Sequence, residues 1–172
     1  MEIQETIVNK VAASGLLTFD LAQLYPEGTR VVLDIKDQLF HGLILREKDF
    51  RAYIKENDWT QYQGQHVAII CSADAIVPTW AYMLIATSLQ PYVATQVFGT
   101  LDTLETLLFE RKLQELDMEQ FRGQRVVIKG CGDIPVPTSA FVGFTSKLSV
   151  IAQSIFYGEP CSTVPVFKRK KG

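Results

Sequence analysis

The chain has 172 residues, 47% hydrophobic, 21% charged and 10% aromatic, an ordinary globular composition that excludes a mainly disordered state. Seventeen Lys and Arg against 19 Asp and Glu leave a net charge of −2, which argues against a general nucleic-acid binder. The length suits a single α/β domain spanning residues 1–172. At the N-terminus, Glu2–Ala13 sets Ile3, Ile7, Val8 and Val11 at helical spacing before Gly15, a helix stop. Asp20 suits the N-cap of a short helix ending at Tyr25-Pro26. Thr29–Ile35 is rich in β-branched residues and predicts a strand, as does the apolar run Gln38–Leu45. Arg46–Asp58 carries Phe50, Tyr53 and Ile54 at amphipathic-helix spacing.

From there strands and helices alternate. Strands are expected at Gln65–Ile70, Tyr92–Phe98, Gln124–Lys129 and Ser154–Tyr157. Helices are expected at Val77–Leu89, Leu101–Leu116 and from Val136 to about Ala152. Such alternation implies a mixed or mainly parallel sheet covered by helices. Gly158–Pro165, with two prolines, reads as irregular, and Lys168–Lys171 reads as a frayed, solvated basic tail.

A shift of fifty-nine positions lays Glu56–Tyr82 on Glu115–Phe141 without a gap, with twelve identities in twenty-seven pairs. Average residue usage gives roughly 5–7% identity by chance, so the chain reads as a degenerate β/α duplication with halves at about 46–90 and 101–152. If its two strands are adjacent or one removed, the loops after them open into a common cleft.

Both loops end in Asp-x-x-Val-Pro-Thr, at Asp74–Thr79 and Asp133–Thr138. Pro suits the first helical position, and the free N–H groups beyond it favour an anion. Asp74, Thr79, Asp133 and Thr138 are therefore candidate ligand-binding residues, although the two carboxylates could equally serve as helix caps. Cys71 and Cys131 precede helix starts, where thiolate is favoured, and Cys161 lies in a Pro-flanked segment. These three are candidate catalytic thiols or metal ligands, for zinc or an iron–sulfur cluster, set against inert, partly buried cysteines. His41 shares an expected strand face with Leu39 and Leu43 and suits a core or edge position, while His66 suits an exposed one. Trp80, Tyr82 and Met83 read as core-facing helix residues. No Gly-x-Ser-x-Gly elbow or phosphate-binding Gly-Lys loop occurs, so hydrolase, kinase and dinucleotide readings lack support.

An odd number of widely spaced cysteines and the lack of a basic segment before an apolar block point to a cytoplasmic protein with reduced thiols. The uncharged run Ala75–Leu101 is broken by Pro78, Pro91 and Gly99, too often to cross about 30 Å of hydrocarbon.

The segments Tyr25–Gly28, Gly42–Phe50, Cys71–Tyr82 and Gly158–Pro165 resemble those of an uncharacterised protein family typical of Bacteroidetes, domain of unknown function family 2480. The resemblance spans nearly the whole chain and implies no established activity. Such proteins can be encoded near iron–sulfur assembly factors, so the resemblance adds some weight to an accessory thiol- or metal-handling role. The competing expectation is a non-catalytic binding module that holds a small anionic ligand or a partner segment at its two helix N-termini.

Overall fold

Eight strands and four α-helices alternate along the chain in a computed structural model that describes residues 9–11, 15–130, 132–159 and 161–170. They are β1 (Asn9–Val11), β2 (Leu16–Asp20), β3 (Arg30–Asp34), α1 (Glu47–Glu56), β4 (His66–Ile70) and α2 (Thr79–Leu89). After these come β5 (Thr95–Phe98), α3 (Leu101–Glu115), β6 (Arg125–Lys129), α4 (Thr138–Ile151), β7 (Ser154–Glu159) and β8 (Ser162–Lys168). The fold is mixed α/β with mostly parallel sheets, and no described helix is long and apolar enough to cross a membrane.

The chain divides into two compact units, Glu27–Leu107 and Met1–Pro26 with Leu108–Gly172. The first, continuous unit holds a three-stranded sheet in the order β3-β4-β5, parallel throughout. Alternation along β3 and β4 turns Leu33, Val67 and Ile69 to one face, where they bury against Phe50 of α1 and Ala81, Ile85 and Leu89 of α2. Trp59, Tyr53 and Tyr62 extend this core, and the Trp59 indole N–H donates to Ile54 O at 2.8 Å.

The discontinuous unit is a five-stranded sheet ordered β1-β2-β6-β7-β8. Its middle three strands are parallel, and β1 and β8 pair antiparallel on the two outer sides. Phe19, Phe121 and Phe144 meet at ring-centroid distances of 5.0–5.4 Å in its core. Edge-to-face and tilted contacts among such rings add to the stability that their burial supplies.

Several sequence expectations change here. Asn9–Val11 is strand and not helix, because pairing with Leu16–Thr18 outweighs a short helical period; the rest of Glu2–Ala13 lies outside the described residues. Leu16–Asp20, of which the sequence assigns only Asp20, as an N-cap, is a strand paired with Arg125–Lys129, more than a hundred residues on. Gln38–Leu45 is not a strand: a 3-10 turn covers Lys36–Gln38, and Phe40 bridges Ile44 around His41 and Gly42, with φ of 52° and 69°. His41 is thus an exposed turn residue, not a member of a strand face. His66 is 6% exposed, because it opens a central strand and its Nε2 lies 2.8 Å from Glu27 O. A Cβ on Gly28 would come within 2.8 Å of that ring nitrogen, so the turn beside His66 requires glycine.

The prolines of the two loops stand one residue earlier than expected. Pro78 and Pro137 are N-caps with extended ψ of 137° and 144°, and neither helix start has a side-chain cap hydrogen bond. Gly158–Pro165 is not irregular, since most of it forms the β7–β8 hairpin, which tolerates Pro165 on an edge strand. The basic tail is held as far as Arg169, whose amide donates to Gln153 O at 2.9 Å and whose guanidinium donates to Ala152 and Ser149 carbonyls.

Candidate functional site

In parallel sheets the loops at the carboxyl edge are free to hold a ligand. At that edge of β3-β4-β5, Asp34 ends its strand and ties the neighbouring loop to it. Its Oδ1 accepts from the Ser72 amide at 3.0 Å and the Lys36 amide at 3.1 Å, and its Oδ2 accepts from the Ser72 hydroxyl at 2.5 Å. Burial acts to raise the Asp34 carboxyl, but the Ser72 and Lys36 donors outweigh it and hold the group below the ordinary carboxylate range. Cys71, half-buried beside this pair, lies 3.8 Å from Ala73 O.

In the same unit a groove of about 610 Å3 runs between α2 and β5. Thr79, Tyr82, Met83 and Ala86 form its helix wall, and Gln96 and Phe98 form its strand wall. The Tyr82 and Phe98 rings meet edge to face at 4.8 Å. Burial, reinforced by Cys71 and Asp34, pushes the Tyr82 phenol up. Gln96 donates to Ala86 O and Gln90 Oε1, while its own Oε1 is buried without a partner. Phe98 is 65% exposed and Met83 62%, so Met83 is a groove wall and not the core residue expected from its helix. Trp80 and Tyr82 are half-buried against the core.

The discontinuous unit carries a groove of about 530 Å3 at matching positions. Thr138, Phe141, Val142 and Thr145 of α4 stand fifty-nine residues after Thr79, Tyr82, Met83 and Ala86. Tyr157 stands fifty-nine after Phe98 and meets Phe141 edge to face at 5.7 Å. Other correspondences lie outside the grooves. Gly64 donates to Tyr92 O at 2.8 Å and Gly123 to Ile151 O at 2.9 Å, while Asp20 and Asp34 each accept from the amide two residues on. The grooves differ in one wall: Val166 of β8 lines the second.

The predicted residues are placed as follows. Thr79 and Thr138 line the two grooves. Asp74 and Asp133 are exposed in the loops before α2 and α4. Cys71 belongs to the continuous unit, Cys161 is an exposed residue of the other, and Cys131 lies outside the described residues. The expected adjacency of the two repeat strands fails, because β4 and β6 are middle strands of different sheets. Among the described residues no group of three His, Cys, Asp or Glu could hold a metal.

Asp34, Ser72, Gln96, Phe98 and Tyr157 were missed. Carrying the fifty-nine-residue match past Tyr82 would have paired Phe98-Gly99 with Tyr157-Gly158, whose glycines share positive φ of 140° and 119°. No described Lys, Arg, Asp or Glu lines the first groove, and Lys36 Nζ stands 3.9 Å from Asp34 Oδ2. Between Lys55 and Arg111 the sequence holds no Lys or Arg, and Asp74 and Asp102 lie within that stretch. No curated protein and no solved structure matches the chain. The family model described as a protein of unknown function, DUF2480, matches residues 5–169, and the chain belongs to that family.

Proposed function

We propose that the chain is a non-catalytic binding module whose groove between α2 and β5 holds an apolar segment of a partner. The carrying observation is the placing of two large, exposed apolar side chains, Met83 and Phe98, on the two walls of that groove. Apolar surface gathered around a concavity marks a binding site more often than isolated exposed residues do. Thr79 lines the groove, with Asp74 on the loop leading to it, and Thr138 and Asp133 hold the same stations in the second unit. A small anion is the weaker ligand, because no described Lys or Arg lines the groove and Asp74 is exposed on the loop before α2. The thiol- and metal-handling reading draws on less: Cys71 touches a carbonyl, Cys161 is exposed, and neither stands in a described metal-binding group. The matched grooves support an origin of the two units by duplication, and free thiols at Cys71 and Cys161 suit a reducing cytoplasmic setting.

The test uses Nile red, an uncharged apolar probe. Saturable fluorescence enhancement that falls about tenfold in affinity in Ala86→Phe and in Phe98→Asp supports the groove. Enhancement that neither variant changes would place the binding surface elsewhere and end the reading.

A further inference from the structure

We infer that the apolar segment held between α2 and β5 presents a tryptophan whose indole N–H donates to Gln96 Oε1. The inference rests on the groove reading above and names the side chain that fills the groove. Its ground is a polar atom without a partner on a residue of the groove wall. Gln96 donates through Nε2 to Ala86 O at 3.0 Å and to Gln90 Oε1 at 2.9 Å. A main-chain carbonyl only accepts, so the amide nitrogen faces α2, and both of its N–H groups are spent. What Gln96 has left is its oxygen, which is buried and has no hydrogen-bond partner among the described residues. A buried acceptor left unpaired is costly, and a donor brought to this wall relieves that cost. The second unit has no counterpart. The register puts Gln96 opposite Val67 and Ile155 opposite Val126, so an aliphatic core residue stands where Gln96 does.

The donor's chemistry follows from the rest of the lining. No described Lys, Arg, Asp or Glu lines the groove, so an ammonium or guanidinium entering it would lose hydration with no carboxylate to meet it. A hydroxyl or a main-chain amide brings an acceptor along with its donor, and the N–H groups of Gln96 are already taken. Thr79 lies seven residues before Ala86, about 10 Å along α2, too far to serve the same group. An indole N–H is a donor with no acceptor, so it leaves nothing unpaired. The indole ring also suits the walls. Tyr82 and Phe98 stand edge to face at 4.8 Å, and Phe98 is 65% exposed. Met83 on the helix wall brings a thioether, which packs favourably against aromatic edges. The groove's volume of about 610 Å3 falls within the roughly 300–1,000 Å3 usual for ligand sites.

The probe is the peptide acetyl-Ala-Ala-Trp-Ala-Ala-amide, titrated into the full chain and followed by main-chain and side-chain amide NMR shifts. Expected results are saturable shifts at Gln96–Phe98 and at the Gln96 side-chain amide. The same peptide with benzothienylalanine in place of tryptophan keeps the ring shape and lacks the N–H. It should bind about tenfold more weakly. In Gln96→Leu that ratio should fall to about one. If Gln96→Leu does not fold, the ratio in the unaltered chain decides alone. Equal affinities there overturn the proposal, as does a tenfold ratio that survives in Gln96→Leu. Free indole that binds where the peptide does not also overturns it, because the occupant would then be a small molecule and not a partner segment. Nile red binding that Ala86→Phe and Phe98→Asp weaken, with no peptide binding, leaves the groove reading standing and removes the tryptophan. Nile red binding that neither variant changes removes both.

Discussion

The two units solve one problem in two ways. Each sets three parallel strands side by side with helices on a face, and each leaves a groove between the second helix and the third strand. One unit adds β1 and β8 to its outer strands, and the other stops at three. Since parallel frameworks with matched positions behave so differently at their rims, function is more readily sought at the rim than in the core. The core residues differ in size but keep their places: Phe19 stands where Leu33 does, and Phe144 where Ile85 does. The edges differ in kind.

The comparison breaks most sharply at the central strands. Val67→Asp and Val126→Asp each put a carboxylate at a fully buried site, at a cost of more than about 4 kcal/mol. Urea unfolding followed by tyrosine and tryptophan fluorescence should show loss of the cooperative transition in each. A soluble, cooperatively unfolding Val67→Asp protein would show that β4 is not central. Next, Phe50→Ala and Phe144→Ala remove fully buried rings from the two cores and should each cost about 3–5 kcal/mol. Costs differing by more than about 2 kcal/mol would show that the cores are less alike than their geometry.

A smaller effect sharpens the contrast between the aspartates. Asp34 fixes a distant loop through Ser72, whereas Asp20 accepts from Ala22 in its own turn. Asp34→Asn should cost about 1–3 kcal/mol at neutral pH. With its folded pKa depressed, Asp34 contributes stability above the unfolded value of about 3.9, which is lost as pH falls through the folded value. Denaturation midpoints across pH 2–6 should therefore flatten at the acid end in Asp34→Asn; an unchanged slope would deny the carboxylate that role. The smallest effect is at the prolines. Pro78→Ala and Pro137→Ala should shift stability by about 0.4–1 kcal/mol each, through the unfolded chain, and a loss of several kcal/mol would mean that the N-cap geometry depends on proline.

How much could be read in advance depended on distance along the chain. The helices from Glu47 onward and strands β4, β6 and β7 declared themselves in local periodicity and in the fifty-nine-residue match. β2 did not, because Leu16–Asp20 is a strand by virtue of Arg125–Lys129, its partner. Asp34 was invisible for the same reason, its hydrogen-bonding partner Ser72 standing 38 positions away. The Val-Pro-Thr loops were legible as helix starts, and Thr79 and Thr138 line grooves there. Met83 was misjudged, since helical spacing marks a side but does not say which side the sheet will cover.

The discontinuity of one unit sets an order of events during synthesis. Everything that β3, β4 and β5 need lies within Glu27–Leu107, so that sheet can close soon after Leu107 emerges. β2 is made first yet must wait for β6, more than a hundred residues later. At translation speeds of about 5–20 residues per second that is a delay of roughly 5–20 s. Limited proteolysis of ribosome-held chains stopped after Leu148, with β6 still inside the exit tunnel, should find the continuous unit already resistant and Leu16–Asp20 still cut. A strand kept waiting so long is exposed to wrong pairing before its own partner has been made.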